Sequence, residues 1–304
     1  MIPEFFQNAY ACCELCPRRC RADRRKTAGF CREGAKVRAA RAMLHPWEEP
    51  AVMTGGKPSG AVFFSGCTLH CVYCQNYQIS QEGTGKELTA EELASVFLSL
   101  QEKGASNLDL VTPTHFLPGI LEALELCRGK LHLPVVYNTG GYERPETVQA
   151  LAEKIDFWLP DIKYFSSTLS RTYSQATDYF TTAVCAVREM ISVSRRRFGE
   201  KPGEPPRVIL RHMVLPGHRK DSIELLHALK GELGTEGYWI SLLSQYTPFY
   251  RAADFPELNR RVTTFEYESV LEEAQKLGFD GFRQDRTSAK EEYTPSFDFD
   301  GLDV

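Results

Sequence analysis

The hydrophobic positions of this chain alternate between the spacing of buried strands and that of helices. Short apolar runs bounded by Gly, Pro, Asn or Asp predict strands, and apolar residues three and four positions apart predict helices. The predicted strands are residues 61–65, 108–112, 134–138, 156–159, 208–215, 238–243 and 279–283. The predicted helices begin at the capping-box pattern Thr89-Ala-Glu-Glu92 and near Pro145, and cover 119–127, 179–196, 222–233 and 267–277. This alternation predicts βαβ units and a parallel sheet.

Three segments follow from this pattern. Residues 1–60 are rich in Cys, Arg, Pro and Gly and look irregular, which predicts a small Cys-rich metal-binding module. Residues 61–285 carry the alternating pattern and predict an α/β fold, a partial (β/α)6 barrel that resembles part of a TIM barrel. Residues 286–304 are acidic and aromatic and predict a C-terminal tail, which either covers the open barrel rim or is loose.

Composition narrows the functional classes. With 304 residues, of which 42% are hydrophobic, the chain can bury a full core, and its net charge of −4 gives no global attraction to nucleic acid or anionic lipid. The sequence shows no signal-peptide pattern at its start and no apolar stretch long enough to span a bilayer. Ten cysteines without an export signal favour metal binding over disulfides. We therefore expect a cytoplasmic protein without a membrane partner.

Three cysteines carry the strongest chemical signal. Cys67, Cys71 and Cys74 follow the first predicted strand with the spacing C-x3-C-x2-C. Three thiolates on one loop can hold three corners of a [4Fe-4S] cube and leave the fourth iron without a protein ligand. Structural metal sites usually have four protein ligands, whereas a site that performs chemistry keeps one position open. The alternative is that these cysteines form a zinc knuckle or are redox-silent thiols. Their spacing favours the iron–sulfur cluster over both.

Polar side chains also follow the other predicted strands. Because the carboxyl ends of parallel strands meet at one rim, these residues are expected to share a pocket with the cysteine loop. The clusters are Thr112-Pro-Thr-His115, Asn138-Thr-Gly-Gly-Tyr142, Asp161-Ile-Lys163-Tyr164, Arg211-His212 and Ser244-Gln245-Tyr246.

The cysteine motif resembles that of the radical S-adenosylmethionine (radical SAM) superfamily. The resemblance implies that SAM binds the open iron through its amino and carboxylate groups. It further implies that an electron, supplied by a reductant such as flavodoxin or ferredoxin, cleaves SAM to a 5′-deoxyadenosyl radical that abstracts hydrogen from a substrate. Tyr73, the aromatic residue before the last cysteine, is implied to lie against the adenine.

Within that superfamily the chain resembles the PflX-type proteins, relatives of the pyruvate formate-lyase activating enzymes, over nearly its whole length. The residues that carry this resemblance are Cys13-Glu-Leu-Cys16-Pro-Arg-Arg-Cys20, Glu48-Glu-Pro50, Phe63-Phe-Ser-Gly-Cys67, Cys74-Gln-Asn76, Val111-Thr-Pro-Thr-His115, Tyr137-Asn138, Leu159-Pro-Asp161, Lys163-Tyr164 and Arg211-His212.

The resemblance implies roles for several of these residues. Asp161 and Lys163 match an Asp-x-Lys pair that lies by SAM and, in some activating enzymes, by a bound monovalent cation. Asn138 falls where those enzymes have Asp-Thr-Asn-Gly, and Arg211 where they have an arginine near the SAM carboxylate or ribose. Asn76, at the end of the cysteine motif, is counted with this SAM surround.

One stretch departs from the activating-enzyme pattern. Those enzymes have Gly-Gly-Glu-Pro after the second strand, where the glutamate and backbone bind the amino group of SAM. This chain has Thr112-Pro-Thr-His115 instead. A threonine hydroxyl or a neutral His115 can accept a hydrogen bond, but neither supplies the missing negative charge. We expect Thr112 and His115 to be pocket residues.

A second cysteine cluster precedes the first. Cys13, Cys16, Cys20 and Cys31 are spaced closely enough to close a tetrahedral site. Their spacing does not choose between zinc and a second iron–sulfur cluster. The site would be either a structural staple or an auxiliary cluster that relays an electron or binds substrate.

The same segment is basic, since residues 17–41 hold ten Arg or Lys against Asp23 and Glu33. Such a segment could bind nucleic acid, contact an acidic protein or simply be solvated. Phe30 is its one aromatic residue for base stacking, which does not favour nucleic acid.

The activating-enzyme resemblance implies hydrogen abstraction from a protein or peptide, including installation of a glycyl radical in a partner enzyme. Modification of a peptide, an RNA base or a small metabolite by the same chemistry is the first alternative. A non-catalytic, cysteine-cluster adaptor that binds nucleic acid is an alternative of another class.

Overall fold

The computed structural model describes residues 2–199, 201, 203–284 and 295–303. Its strands are β1 (Val37–His45), β2 (Ser59–Phe64), β3 (Lys86–Leu88), β4 (Leu108–Val111), β5 (Val135–Thr139), β6 (Phe157–Pro160), β7 (Ile209–Met213), β8 (Trp239–Leu243) and β9 (Gly281–Arg283). Its helices are α1 (Tyr77–Ser80), α2 (Ala90–Glu102), α3 (Leu117–Leu126), α4 (Pro145–Ala150), α5 (Ser167–Ser174), α6 (Tyr179–Phe198), α7 (Arg219–Leu233) and α8 (Thr264–Leu277). The predicted alternation and the α/β class are confirmed.

The parallel strands form one open arc. β2, β4, β5 and β6 pair in parallel in that order, and β7, β8 and β9 form a second parallel set. Parallel bridges from Trp158 to Val208 and from Asp161 to Arg211 join β6 to β7. Among the described strands the arc does not close on itself, so the predicted partial barrel is confirmed. All these strands end at one rim, where the loops that follow them converge.

The arc separates a packed outer face from an inner face. On β4, Leu108 and Leu110 belong to the main hydrophobic core, which also contains the apolar faces of the helices. Val111, one residue on, instead packs with Ala61 and Phe63 of β2. Successive side chains of a strand point to opposite faces, so Asp109 shares the inner face with Val111. This inner face is where the site lies.

The expectation that residues 1–60 are irregular is wrong for β1. This strand pairs antiparallel with β2, with His45 opposite Ser59, and β3 pairs along its other side. Its arginines make the segment look like a solvated basic stretch, yet Arg38 and Arg41 each bond to acidic partners. The sheet therefore extends across residue 60. The boundaries of the three predicted segments remain predictions.

The described part of the predicted C-terminal tail lies along β1. The amide of Phe299 donates to the carbonyl of Ala40 at 3.0 Å, and the amide of Ala42 donates to the carbonyl of Asp300 at 3.0 Å. Leu302 is buried in the main core. This part is packed rather than loose. Residue 285 and the tail residues 286–294 and 304 lie outside the described residues.

The segment between β1 and β2 closes the amino-terminal end of the arc. Val52 is buried and packs with Val136, Leu159 and Ile209 on the inner face. Its carbonyl accepts a hydrogen bond from the Asn107 side chain at 2.7 Å. No helix of the described residues combines the length and the apolar character that crossing a bilayer requires.

Candidate active site

The cysteine loop leaves β2 through a glycine that no other residue could replace without strain. Gly66 has φ +77°, in the left-handed region that favours glycine. A Cβ built on it would lie 2.7 Å from the carbonyl oxygen of Cys31 and would also collide with the Glu33 side chain. The loop that carries Cys67 is therefore pressed against the amino-terminal segment.

The three cysteine sulfurs are oriented by hydrogen bonds. The amide of Leu69 donates to Cys67 Sγ at 3.4 Å, Ser174 Oγ to Cys71 Sγ at 3.0 Å, and Ser80 Oγ to Cys74 Sγ at 3.3 Å. Such donors stabilise the thiolate form that binds iron. Burial raises the pKa of the Cys71 and Cys74 thiols, so their ionised forms need compensating positive charge.

All three cysteines line one cavity on the inner face of the arc. Among the described residues, no three His, Cys, Asp or Glu side chains gather in a way that would hold a single metal ion. A [4Fe-4S] cube instead spreads its thiolates over separate iron corners. A soft, all-sulfur donor set that opens on a cavity suits such a cluster with one exposed corner. Most of the residues expected around SAM line the same cavity, namely Tyr73, Asn76, Thr112, Asn138, Asp161, Lys163 and Arg211.

Arg211 is the centre of the polar network in this cavity. Its Nε donates to Asp161 Oδ1 at 3.0 Å, and its Nη2 donates to the side-chain oxygen of Asn138. Its Nη1 lies 3.5 Å from Glu48 Oε2. The guanidinium thus joins the ends of β5 and β6 to the segment between β1 and β2.

Asp161 is paired on both sides. Lys163 Nζ donates to Asp161 Oδ2 at 2.6 Å, while Arg211 occupies Oδ1. Burial alone would raise the pKa of Asp161, but Lys163 and Arg211 together lower it below its ordinary value. Both carboxylate oxygens are therefore engaged by the chain's own cations, which leaves less room for the predicted monovalent cation. That cation remains a prediction.

The residues after β4 divide between two environments. Thr112 has φ +60°, lines the cavity, and its amide donates to the Asn138 carbonyl at 2.8 Å. His115 is not among the cavity residues, because its ring Nε2 lies 2.6 Å from the carbonyl oxygen of Ser65. The sequence places His115 beside Thr112, but the turn at Thr114–Phe116 directs its ring behind the cysteine loop.

Tyr73 lies in an aromatic cluster beneath the cysteine loop. Its hydroxyl is 2.6 Å from that of Tyr164, and its ring makes edge contacts with Tyr164, Tyr173 and Tyr246. Its side chain is 5% exposed, so little of the ring is available at the cavity surface. Stacking of this ring on adenine remains a prediction.

Sequence reasoning missed three polar residues of the cavity. His45, Glu48 and Glu49 line it, although they lie ahead of the first predicted barrel strand. Two adjacent glutamates next to Trp47 were a signal, since such a pair is seldom buried without a partner. The irregular composition of residues 1–60 gives no sign that these side chains reach the barrel interior.

The amino-terminal cysteines are only partly brought together, since no three of them gather around a single metal-ion position among the described residues. Cys13, Cys16 and Cys31 are buried, whereas Cys20 and the neighbouring Cys12 are exposed. A Cβ built on Gly29 would lie 3.3 Å from Cys20 Sγ and 3.5 Å from Cys31 Sγ, so two of the sulfurs flank this glycine.

Comparison with known proteins identifies the class. The family model of the Radical SAM superfamily matches residues 61–229, and the chain belongs to that superfamily. Its members are enzymes that use a [4Fe-4S] cluster and SAM, so the predicted chemistry is confirmed at that level.

Two relatives are similar in sequence. The uncharacterized protein MJ0674 of Methanocaldococcus jannaschii is 29% identical over 286 residues, which cover 91% of this chain and 78% of that protein. The pyruvate formate-lyase-activating enzyme of Clostridium pasteurianum is 30% identical over 133 residues, which cover 40% of this chain and 52% of that enzyme. The predicted relation to activating enzymes is thereby supported.

Two solved structures are similar to this chain over part of their length. SuiB of Streptococcus suis bound to S-adenosylmethionine has a TM-score of 0.47 and 13% identity, covering 72% of this chain and 48% of that one. Methylornithine synthase (PylB) has a TM-score of 0.48 and 16% identity, covering 68% of this chain and 58% of that one. The matched region thus spans about half of each of these proteins.

Proposed function

We propose that the protein is a radical SAM enzyme that abstracts hydrogen from a protein or peptide. The observation that carries this proposal is that three cysteine sulfurs and a charged Asp161–Lys163–Arg211 network face one cavity. The bound cluster and SAM would supply a 5′-deoxyadenosyl radical, which takes a hydrogen atom from a substrate carbon and leaves 5′-deoxyadenosine and a substrate radical. The partial similarity to an activating enzyme supports a protein or peptide substrate.

The chain's own residues would bind and orient SAM. Cys67, Cys71 and Cys74 would hold the cluster, with serine and amide donors fixing their sulfurs. Lys163 and Arg211 would attract the SAM carboxylate, because both are partly buried cations that Asp161 holds at the cavity.

The proposal is tested by anaerobic reconstitution with iron and sulfide, followed by dithionite and SAM. We expect formation of 5′-deoxyadenosine, and we expect Cys67→Ala to abolish it. The exposed Cys185 offers a matched control, since Cys185→Ala removes a thiol outside the motif. If the Cys67→Ala variant and the parent behave alike, the proposed chemistry is rejected.

Glycyl-radical installation is the specific form of this proposal. A partner enzyme deuterated at glycine should transfer deuterium into 5′-deoxyadenosine. Deuterium transfer from a labelled peptide without a glycyl-radical motif, from an RNA or from a small metabolite would instead favour the alternative substrates. A flavodoxin or ferredoxin is the proposed physiological reductant in place of dithionite.

The basic segment gives little support to the adaptor alternative. Each of its ten cations has a carboxylate or carbonyl partner within the chain, which reduces its availability to phosphates. These residues are Arg18, Arg19, Arg21, Arg24, Arg25, Lys26, Arg32, Lys36, Arg38 and Arg41. The adaptor alternative would require an RNA affinity that falls steeply as the salt concentration rises.

We further propose that Cys13, Cys16, Cys20 and Cys31 bind a second metal centre, either zinc or an iron–sulfur cluster. Arg24 supports ionised cysteines there, because its guanidinium is 1% exposed and bonds to Cys13 Sγ at 3.9 Å and to backbone carbonyls. A buried cation needs a nearby anion, and the bound thiolates would supply it. Metal analysis of a variant lacking Cys67, Cys71 and Cys74 identifies this centre, and a metal-free, folded variant would reject it.

A further inference from the structure

An acidic group of residues lies in the cavity at the end opposite the cysteine loop. His45 pairs with Ser59 at the start of β2, whereas Cys67 follows the end of that strand. Six extended residues place about 17 Å between these two ends. Glu48 and Glu49 follow His45 into the cavity from this deep end, where Glu48 reaches Arg211 of the predicted SAM surround. We call His45, Glu48, Glu49 and Asp109 the acidic floor.

Glu48 connects the residues of the floor. Its carboxylate lies 3.5 Å from Arg211 Nη1 and 3.6 Å from His45 Nε2, and its side chain is 8% exposed. Asp109 belongs to the same group, and its Oδ2 accepts a hydrogen bond from Asn138 Nδ2 at 3.3 Å. Arg211 is thus one cation shared between Glu48 and Asp161, so carboxyl groups outnumber basic groups at this end.

Glu49 is the residue that points to a ligand. It is 8% exposed, it lines the cavity, and its Oε2 has no hydrogen-bond partner among the described residues. Asp109 Oδ1 and His45 Nδ1 are likewise buried without a donor or acceptor. Buried polar atoms in native proteins are normally satisfied. Burial raises the pKa of Glu49; Arg211 opposes this rise, and the neighbouring Glu48 carboxyl adds to it.

Resting on the proposed function, we propose that the acidic floor binds a primary ammonium group of the substrate, such as a lysine side chain. An ammonium carries the positive charge that the floor lacks and donates three hydrogen bonds, which suits the unpartnered oxygens of Glu49 and Asp109. Bound there, the rest of the substrate would extend toward the cysteine loop, where hydrogen is abstracted.

The test uses the reconstituted protein with S-adenosylhomocysteine in the cofactor site. Acetyl-lysine amide with a free side-chain ammonium and its norleucine counterpart are titrated and followed by ligand-observed NMR. We expect the lysine compound to bind at least tenfold more tightly than the norleucine compound. Glu49→Gln and Glu48→Gln should each remove that preference, while Glu87→Gln, on the surface beside Lys36, should retain it. Because Glu48→Gln and Glu49→Gln both keep the shape of the side chain, the test can still be made if one of the two variants fails to fold.

Equal binding of the two compounds overturns the inference, as does a lysine preference that survives both glutamine variants. SAM itself carries an ammonium, so S-adenosylhomocysteine affinity is measured in every variant. A loss of that affinity in Glu49→Gln, with the lysine preference intact, assigns the floor to the cofactor and also overturns the inference. Formation of 5′-deoxyadenosine by the parent protein is measured separately. If it forms, the proposed function stands even when the ammonium inference fails.

Discussion

The Nε of Arg18 donates a hydrogen bond to the carbonyl oxygen of Thr68 at 2.8 Å, and this bond joins the two cysteine clusters. Arg18 lies between Cys16 and Cys20, and Thr68 lies directly after Cys67. The same guanidinium bonds to the carbonyl of Ser174, whose hydroxyl donates to Cys71 Sγ. The amino-terminal segment therefore positions the loop that carries Cys67 and Cys71.

Replacing Arg18 should loosen the cysteine loop. Arg18→Ala removes three hydrogen bonds to carbonyls and a contact in which the guanidinium lies 4.1 Å from the Phe30 ring centroid. We expect a loss of about 2 kcal/mol in stability, since hydrogen bonds of charged groups are the stronger ones. Faster loss of iron to a chelator, followed by absorbance, checks the effect on the loop.

Arg21→Ala is the matched control for Arg18→Ala. Arg21 lies in the same segment but makes an exposed ion pair with Glu14, which contributes little to stability. Equal rates of iron loss in the two variants would contradict the positioning role of Arg18.

Gly66→Ala should lower the stability of the protein and its iron content more than Gly104→Ala does. The added Cβ would meet Cys31 and Glu33, and the positive φ is unfavourable for alanine. Gly104 provides the control, because it also has a positive φ (+88°) but nothing lies within 4 Å of a Cβ built there. Gly104→Ala should cost about 1 kcal/mol of backbone strain, and Gly66→Ala clearly more, with loss of bound iron. Thermal unfolding and iron content distinguish the two.

The barrel and the cysteine loop could be predicted because their signals are local. The apolar runs of β2 and of β4 to β9, and the spacing of Cys67, Cys71 and Cys74, need no knowledge of distant contacts. The strand β1 could not be recognised, because Arg38 and Arg41 satisfy their charges with Glu33 and with the C-terminal segment. The sequence predicts that His115 lies in the pocket with Thr112, but a single turn places its ring against the carbonyl of Ser65.

Arg211 should be essential for SAM affinity. Arg211→Ala removes the link between Asp161, Asn138 and Glu48, and it leaves Glu48 without its arginine and Asp161 with Lys163 alone. We expect S-adenosylhomocysteine affinity to fall roughly 10- to 100-fold, corresponding to about 1.4–3 kcal/mol. Arg211→Lys should restore only part of this affinity, because an ammonium cannot reach several partners in a planar fork.

Equilibrium dialysis of S-adenosylhomocysteine measures the effect of these Arg211 variants. Arg251→Ala serves as the control, since Arg251 pairs with Asp254 on the surface. An affinity unchanged in Arg211→Ala would contradict its assignment to the SAM surround.

Glu143 should make the stability of the protein depend on pH. Its carboxylate is buried and accepts hydrogen bonds from Thr114 Oγ1 at 2.5 Å and from the Thr139 hydroxyl. Burial raises its pKa to about 7 from an ordinary value of 4.5. Between these two values the unfolded chain has released the proton that the folded chain still holds, so stability falls as pH rises through this window.

Glu143→Gln removes that titration and keeps the shape of the side chain. Relative to this variant, the parent should lose on the order of 1–3 kcal/mol as pH rises from 4.5 to 7, and the difference should then level off. Urea unfolding of both proteins at matched metal content, from pH 5 to pH 8.5, measures the difference and cancels the titration of other groups. A difference that is constant across this range would mean that Glu143 is already ionised in the folded protein, stabilised by the two threonine hydroxyls.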